Sequence, residues 1–336
     1  MLETERLILR RYKEDDFEAI HSYASTKENN LYMPWGPNTE AETRAFIKMS
    51  MEREHHFVVI LKETGALIGS CNLNQREGKA ELGWIIHRDH WKRGYGTEAA
   101  RAVLKHGFET LNYHRIIARC DAENVGSYRI MEKIGMRREA LYHDARPPHK
   151  ESKRAYSDEL LYAMVKDEWE IQKEIAYYNA LPYKFEGFIE IPKLSDGELY
   201  LVCEEKKPGN PEKNWVPCYW FAICVGGEKV GNINIRIGYG GGEKNDNLYY
   251  GGQIGYDVNE EHRGKNYAAR ACRLLPYVAR AHGMEKVLIT NNVENYASRR
   301  VCEKIGARLV RVARLPKWND LYRDGQRFVS VFEWGV

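Results

Sequence analysis

Two short stretches rich in glycine and basic residues have the composition of anion-binding loops. The first follows an apolar segment, Ala80 to Ile86, that predicts a strand, and it opens an amphipathic helix. Its members are Trp91, Lys92, Arg93, Gly94, Tyr95, Gly96 and Thr97. Glycines expose backbone N–H groups and the helix adds its N-terminal dipole, so the loop predicts a phosphate or diphosphate site. A purely structural turn is the alternative.

Common nucleotide and metal motifs do not fit this region. The Lys-Ser/Thr ending of a Walker A loop is absent. Gly94 and Gly96 lack the third glycine of the GxGxxG fingerprint, which disfavours dinucleotide binding. His87 and His90 have no third ligand nearby in the sequence, so a solvated histidine pair is favoured and no metal is assigned.

The same pattern recurs once along the chain, which indicates an internal duplication. The segment Glu123 to Gly135 matches Glu294 to Gly306, 171 positions later. Upstream, Gly83 to Arg101 matches Gly255 to Arg273 at an offset of 172. Two copies at such a long period indicate two whole domains rather than a solenoid of short repeats.

The order of predicted elements defines the fold class. Each copy has strands around a tight turn, an apolar strand, the glycine loop, an amphipathic helix, a strand, a short helix and further strands. This order predicts a mixed α/β fold. A glycine-rich insert in copy two, Gly238 to Gly252, predicts a loop. We predict an N-terminal domain over 1–170, a linker over 171–190 and a C-terminal domain over 191–336.

Composition limits the partners and the compartment. The chain has 51 basic and 48 acidic residues, a net charge of +3, which gives no electrostatic reason to expect nucleic acid or a membrane as partner. Seven scattered cysteines without a CxxC motif favour a reduced, cytoplasmic protein. The start of the chain lacks a signal-peptide core and no run reaches membrane-spanning length, so we expect a soluble protein that is not exported.

Together with the segment Asn124 to Ser127, the loop resembles the GNAT superfamily, whose pyrophosphate loop has the pattern Gln/Arg-x-x-Gly-x-Gly/Ala. Copy one resembles the Rim-type branch, which acetylates ribosomal-protein N-termini and many small amines, in the segments Glu3 to Arg10, Glu81 to Trp84, Lys92 to Glu98 and Asp158 to Tyr162. Copy two resembles a less characterised bacterial GNAT group in Gln253 to Tyr256, His262 to Ala268 and Asn295 to Gly306. The resemblance implies two tandem acyl-CoA N-acyltransferase domains, each a splayed mixed β-sheet flanked by helices.

The resemblance also implies acetyl-CoA as the acyl donor, without a metal. In copy one, residues 91–97 would bind the diphosphate, the backbone of Trp84, Ile85 and Ile86 would pair with the pantetheine arm, and Asn124 and Ser127 would lie near the sulfur. Helix capping is the alternative role for Asn124 and Ser127. The corresponding residues of copy two are Val258, Arg263, Gly264, Lys265, Asn266, Tyr267, Ala268, Asn295 and Ser298.

Each copy departs from the family pattern at one loop position. Trp91 replaces the usual Gln or Arg in copy one, a change that is familiar in the Rim-type branch. In copy two, Asn266 replaces the first glycine. Asparagine tolerates positive φ better than other residues with side chains, so the loop can keep its shape, although the side chain could crowd the diphosphate.

The resemblance places a carboxylate on the strand before the loop, and Glu81 is the candidate general base. An ordinary exposed strand glutamate is the alternative. Copy two has Gln253 at this position, which cannot take a proton, so we predict that copy one carries the chemistry. The tyrosine that many GNAT enzymes use to protonate the leaving thiolate is replaced by Met131 and Cys302, so Ser127, water or another tyrosine must substitute.

We therefore predict an acetyl-CoA-dependent N-acetyltransferase, active mainly in copy one, that acts on a primary amine of a peptide N-terminus or a small molecule. The alternatives are a non-catalytic module that binds and senses CoA, a catalytic copy two, and a copy two that only shapes the acceptor cleft. Loops such as Ser25 to Thr39 and Tyr142 to Lys153 would select the acceptor and carry no motif. The sequence predicts neither the acceptor nor the oligomeric state.

Overall fold

The computed structural model describes residues 1–76, 79–147, 156–213, 215–240 and 247–336. Internal contacts divide the chain into two compact units, Met1–Gln172 (unit 1) and Lys173–Val336 (unit 2). The division falls inside helix Lys166–Asn179, so the first part of the predicted linker is helical.

Unit 1 is built on one eight-stranded mixed sheet. Its strands are β1 (Leu2–Glu3), β2 (Leu7–Arg10), β3 (His56–Leu61), β4 (Leu67–Arg76), β5 (Lys79–Ile86), β6 (Arg115–Asp121), β7 (Arg137–Arg146) and β8 (Ser157–Val165). Its helices are α1 (Phe17–Ala24), α2 (Lys27–Asn30), α3 (Glu40–Met51), α4 (Tyr95–Lys105), α5 (Val125–Lys133) and the start of α6 (Lys166–Asn179). The strand order is β1-β2-β3-β4-β5-β6-β8-β7.

The sheet parts in its middle. Strands β5 and β6 are the parallel pair, and they are bonded only where Ala80 faces Ile116 and Glu81 faces Ile117. Beyond Glu81 the two strands diverge, and the rest of β5 has no β6 partner. The predicted splayed mixed sheet is confirmed, and the gap leaves backbone polar groups of β5 available to a ligand.

Two apolar layers hold the helices against this sheet. On one face, Phe57 and Val59 of β3 belong to the core that buries Val103 and Leu104 of α4 completely. On the other face, Val58 packs with α1 and α3. Each fully buried Val or Leu side chain contributes about 1.5–3 kcal/mol. The packing of α4 fixes the start of that helix beside the end of β5.

Unit 2 repeats this arrangement with its sheet divided in two. Its strands are β9 (Leu194–Ser195), β10 (Leu199–Lys207), β11 (Cys218–Val225), β12 (Glu228–Arg236), β13 (Ile254–Val258), β14 (Lys286–Asn292), β15 (Arg308–Arg314) and β16 (Phe328–Gly335). Its helices are α7 (Asn247–Gly251), α8 (Tyr267–Cys272), α9 (Pro276–Ala281), α10 (Tyr296–Ile305) and α11 (Asp320–Arg323). The orders β13-β12-β11-β10-β9 and β14-β16-β15 place the division between β13 and β14, the counterparts of β5 and β6.

The glycine-rich insert of copy two differs from the predicted loop. Residues 241–246 lie outside the described residues, but the segment Asn247–Gly251 is helical. Leu248, Tyr249 and Tyr250 are buried there, because an apolar run of this kind gains more by packing than by solvent exposure. Helix α7 contacts β14 and β16 and so covers one face of the smaller sheet.

Candidate functional site

A cleft of about 900 Å³ opens in unit 1 where β5 and β6 diverge. Every site residue predicted for copy one lines it except Arg93: Glu81, Trp84, Ile85, Ile86, Trp91, Lys92, Gly94, Tyr95, Gly96, Thr97, Asn124 and Ser127. These residues come from β5, the loop after it and the start of α5. The structure therefore brings the predicted anion loop and the predicted base into one cleft.

The loop between β5 and α4 offers unused backbone donors. Within the described residues, the N–H groups of residues 92–97 donate to no acceptor. Lys92 and Gly94 have positive φ values of 61° and 83°, which turn successive N–H groups towards one side. Helix α4 starts at Tyr95, so its first-turn N–H donors belong to the loop. Such a set of donors fits a diphosphate.

Trp91 anchors this loop to the strand that precedes it. Its indole Nε1 donates to the carbonyl oxygen of Ile86 at 2.7 Å. The amide Nδ2 of the buried Asn29 donates to the same oxygen at 2.8 Å. Both lone pairs of that carbonyl are thus occupied, so Ile86 has only its N–H to offer a ligand. The contribution of Asn29 was not predicted, because nothing in the sequence connects α2 with the end of β5.

A Trp91→Phe variant tests this anchor. Phenylalanine keeps the aromatic ring and loses the N–H donor, so we expect acetyl-CoA affinity to fall about twofold to tenfold, the range of one neutral hydrogen bond. Isothermal calorimetry measures the change. Trp215→Phe, at an exposed tryptophan of unit 2, is the control and should leave the affinity unchanged. Equal affinities for wild type and Trp91→Phe would contradict the anchoring role.

Arg6 clamps the loop from the N-terminal segment. Its guanidinium Nε donates to Glu98 Oε2 at 2.7 Å, and Nη1 donates to the carbonyl oxygen of Arg93 at 3.1 Å. The same group stacks over the Tyr95 ring at 4.7 Å. Arg93 therefore takes part through its backbone, which is why it does not line the cleft. The clamp was not predicted, because its partners lie some ninety positions apart.

The second loop keeps the backbone shape of the first. Asn266, the counterpart of Gly94, has φ 67°, and Gly264, the counterpart of Lys92, has φ 81°. The Asn266 side chain accepts a hydrogen bond from Lys304 Nζ at 3.0 Å. Arg263, the counterpart of Trp91, donates through Nε to the Val258 carbonyl oxygen at 3.1 Å. The anchor thus occurs in both units with different side chains.

The helix clamp of unit 2 has the opposite charge arrangement. Arg270 stands where unit 1 has Glu98, and it donates to Asp196 Oδ2 at 2.7 Å and Glu198 Oε2 at 2.9 Å. The hydrogen bonds from Arg270 lower the pKa of Asp196 to about 2. Tyr267 lies under Arg270 as Tyr95 lies under Arg6. The two units therefore share the contact between an arginine and a tyrosine ring, but the acidic and basic partners of the ion pair have exchanged positions.

Charged side chains from several strands line the part of the cleft around Glu81, named the acceptor end after the amine that Glu81 is predicted to deprotonate. Glu81 on β5 lies 4.0 Å from Arg119 Nε on β6, and Arg119 Nη1 lies 3.8 Å from Glu159 on β8. Arg146 on β7 pairs with Glu159 at 3.3 Å. Acidic and basic groups alternate along this row: Glu81, Arg119, Glu159 and Arg146. Of these four residues only Glu81 was predicted from the sequence, because strand register alone brings the others beside it.

Asn74 supports the Glu81 end of this row. It faces Glu81 across β4 and β5. Its Oδ1 accepts from His56 Nε2 at 2.8 Å and from Arg53 Nη1 at 2.9 Å. Burial lowers the pKa of His56, which keeps its ring neutral. With the oxygen occupied, Asn74 offers its amide N–H groups to the cleft.

Asn124 and Asn295 act as helix caps in the structure. Their side-chain oxygens accept from the backbone N–H of Ser127 and of Ser298, both at 3.0 Å. The Ser298 hydroxyl also bonds the Tyr256 hydroxyl at 2.9 Å.

Beside Ser127, burial raises the pKa of the Cys120 thiol to about 11, which keeps it unreactive. Met131, at the position of the absent tyrosine, is buried.

Unit 2 lacks the charged row. Gln253, at the position of Glu81, is 0% exposed; its Oε1 accepts from Leu288 N–H at 2.6 Å and its Nε2 donates to the Gly238 oxygen at 3.1 Å. By strand register, Thr290 replaces Arg119 and Val329 replaces Glu159. The Gln253 side chain therefore links Leu288 of β14 to the Gly238 carbonyl oxygen through buried hydrogen bonds, and it cannot accept a proton.

Two further features of the described residues concern metal ligands and membrane-spanning helices. No group of three or more His, Cys, Asp or Glu side chains could hold a metal ion there. His87 and His90 stack edge to face, with ring centroids 6.1 Å apart. In the same part of the chain, every helix is too short or too polar to cross a membrane.

Known proteins resemble each half of this chain. A family model described as "Acetyltransferase (GNAT) domain" matches residues 6–137 and again 159–308. The uncharacterized N-acetyltransferase YnaD of Bacillus subtilis is 38% identical over 169 residues, 49% of this chain and 97% of that protein. The uncharacterized N-acetyltransferase p20 of Bacillus licheniformis is 32% identical over 177 residues, 50% and 97% of the two chains.

A solved structure shows a similar relation. The crystal structure of a GNAT-family acetyltransferase from Bacillus anthracis is 38% identical, covers 49% of this chain and 98% of its own, and aligns with a TM-score of 0.46. The YnaD and p20 relatives each match about half of the chain, whereas the family model matches it twice. The predicted tandem arrangement is confirmed.

Proposed function

Because this chain belongs to the GNAT family of acetyltransferases, we propose that unit 1 transfers an acetyl group from acetyl-CoA to a primary amine. The observation that carries the proposal is the single cleft in which the open N–H groups of the β5–α4 loop and the Glu81 carboxylate meet. A peptide N-terminus and a small-molecule amine are both candidate acceptors.

In this proposal, different residues of the cleft bind different parts of acetyl-CoA. The N–H groups of residues 92–97 and the Lys92 cation hold the diphosphate. The Trp84 backbone, which faces away from β4, and the Ile86 N–H hold the pantetheine arm and the negative charge that develops on the acyl oxygen, whereas the Ile85 backbone pairs with Ser70 of β4. Acetyl-CoA, when bound, supplies the activated thioester.

Glu81 is the proton acceptor in this proposal. An ammonium acceptor gives one proton to Glu81, directly or through water, and its nitrogen lone pair then forms the C–N bond as the C–S bond breaks. Ser127 lies at the cleft and is the proposed hydrogen-bond donor to the departing sulfur. The nitrogen loses a second proton on amide formation, and this proton ends on the sulfur, so the products are an amide and the free thiol of CoA. The first proton, which is the net proton released, leaves the site through Glu81.

We assign unit 2 a different part. Its loop keeps positive φ at Gly264 and Asn266, and within the described residues the N–H groups of 264–269 donate to no acceptor, which supports CoA binding. It has no acid–base residue where unit 1 has Glu81, so we propose that it binds CoA without turnover. A chain with one catalytic unit and one binding unit combines the leading prediction from the sequence, for copy one, with the CoA-binding alternative, for copy two.

A Gly94→Trp variant tests the assignment of chemistry to unit 1. Indole bulk at this positive-φ position blocks the loop, so we expect CoA release with an amine panel to fall below about 1% of wild type. Calorimetry should show two acetyl-CoA sites per chain in the wild type and one in the variant.

The matched control is Gly65→Trp. Gly65 also has positive φ (71°), lies in unit 1, meets open space and does not line the cleft. This control should keep full activity. Turnover that survives Gly94→Trp would place the chemistry in unit 2, and a wild type that releases no CoA with any amine would refute the proposed function.

A further inference from the structure

Within the part of the chain that the structure describes, Arg119 has two long ion pairs and donates no hydrogen bond. Its side chain is 38% exposed in the cleft, and its nearest carboxylates, on Glu81 and Glu159, lie at 4.0 and 3.8 Å. Both separations exceed hydrogen-bond distance. Among the described residues, no acceptor takes a hydrogen bond from this guanidinium, although it has five N–H donors in a fixed fork.

The neighbouring arginine is satisfied in a way that Arg119 is not. Arg146 donates to Glu159 Oε2 at 3.3 Å and to the Tyr32 carbonyl oxygen at 3.2 Å, and its side chain is only 13% exposed. Arg146 therefore balances Glu159. Arg119 shares Glu159 with Arg146, so among the described residues Glu81, the proposed base, is the carboxylate within 4.0 Å that Arg119 does not share with another arginine.

We propose that the acceptor is a compact zwitterion, an α-amino acid or a close analogue, with its ammonium group on Glu81 and its carboxylate on Arg119. This inference rests on the proposed function of unit 1. When Glu81 turns to an ammonium group, Arg119 loses its counter-charge, and a carboxylate on the same small molecule restores it. The planar fork of arginine matches a carboxylate in two parallel hydrogen bonds.

The charge balance of the row argues against other amines. The row holds two acidic and two basic groups, so it is complementary to a neutral molecule with separated charges. A polyamine would place further cations beside Arg119 and bring no anion to it. An amino-acid amide or a peptide N-terminus offers one neutral carbonyl oxygen, which accepts fewer hydrogen bonds from the Arg119 guanidinium than a carboxylate does.

Apolar side chains line part of the same cleft. Met33, Pro34 and Trp35 line the cleft beside the charged row and supply contact for a side chain. In unit 2 the counterparts of Arg119 and Glu159 are Thr290 and Val329. The carboxylate subsite is thus absent from the same unit that lacks the base.

The test compares L-amino acids with their carboxamides, with spermidine as a polyamine. Using the full-length chain, we expect kcat/KM for the best amino acid to exceed that for its amide by about 100-fold. Arg119→Gln should lower the amino-acid value about 100-fold and the amide value less than about threefold, and Arg119→Lys should recover part of the loss. Arg44→Gln, at an exposed arginine of α3, is the control.

Binding gives a second readout that does not depend on turnover. The same compounds are titrated by calorimetry into the protein saturated with CoA, where we expect amino acids to bind and Arg119→Gln to abolish that binding. Turnover of amides or spermidine without amino acids would refute this inference and leave the proposed function standing. Amino-acid binding without turnover would support this inference and refute the proposed function. A chain that neither binds nor acetylates amino acids would overturn the zwitterion assignment.

Discussion

Replacing Glu81 by glutamine lowers kcat for amine acetylation by about 100- to 1,000-fold, the usual contribution of a positioned general base. The change keeps the size of the side chain and removes its ability to take a proton. Glu81 is not part of the loop 91–97 that is proposed to bind the diphosphate, so acetyl-CoA affinity should stay within about twofold. Steady-state kinetics and calorimetry on the same preparation separate the two effects.

Alkaline rescue distinguishes a lost base from a distorted site. An acceptor amine loses its own proton as pH approaches its pKa, which is about 7.7–8.0 for the α-amino group of a peptide and higher for a free amino acid. The Glu81→Gln defect should therefore shrink as pH rises towards about 9 and above. Glu63→Gln, at an exposed glutamate of the β3–β4 turn, is the control and should match wild type at every pH. A variant that retains more than half of the wild-type kcat would refute the role of Glu81.

The contiguous part of the site could be predicted from the sequence. The loop residues 91–97 follow one another between a strand and a helix, so local chain geometry alone brings them together. Their chemistry follows from backbone N–H groups and glycine conformation, which depend little on distant contacts. For the same reason Asn266 could be assigned a tolerated positive φ, which the structure has at 67°.

The acceptor end could not be predicted in this way. Arg119, Glu159 and Arg146 come from β6, β8 and β7, and only the pairing register of these strands places them beside Glu81. A one-residue shift in register would turn each side chain to the opposite face. Arg6 and Asn29 reach the loop from equally distant segments. Of the acceptor loop Tyr142 to Lys153, residues 148–153 lie outside the described residues.

Gln253 occupies the repeat position of Glu81 but has a different role in the structure. Sequence matching aligned Gln253 with Glu81 and correctly indicated that it takes no proton. It did not indicate that Gln253 is a tie between strands, bonded to Leu288 of β14 and to the Gly238 carbonyl oxygen. Glu81 keeps 29% of its side chain exposed, whereas Gln253 is fully buried. The same backbone position has a structural role in one unit and faces the cleft in the other.

A Gln253→Glu variant tests this difference, and we expect it to destabilise unit 2 by about 3 kcal/mol at pH 7.5. A buried carboxylate can still accept from the Leu288 N–H, but it cannot donate to the Gly238 oxygen unless it is protonated. The protonated acid reproduces both bonds of glutamine. Burial therefore raises the pKa of the new carboxyl in the folded state above its unfolded value of about 4.3.

The sign of the pH dependence follows from that shift. A group whose folded pKa is raised keeps its stabilisation below the unfolded pKa and loses it as pH rises through the folded pKa. The variant should therefore approach wild-type stability near pH 4 and fall behind it as the pH is raised. Denaturant unfolding at both pH values, followed by hydrogen exchange at the Leu288 amide, measures the difference, and Glu81→Gln should change the free energy of unfolding by less than about 1 kcal/mol.

The same variant shows whether unit 2 lacks only a base. In a Gly94→Trp background, where unit 1 is blocked, Gln253→Glu should produce no acetylation, because the new carboxylate would be sealed between β13 and β14 rather than facing a cleft. The neighbouring positions Thr290 and Val329 supply neither of the charges that surround Glu81. Activity gained by this single change, or equal stability at both pH values, would show that position 253 faces an open site.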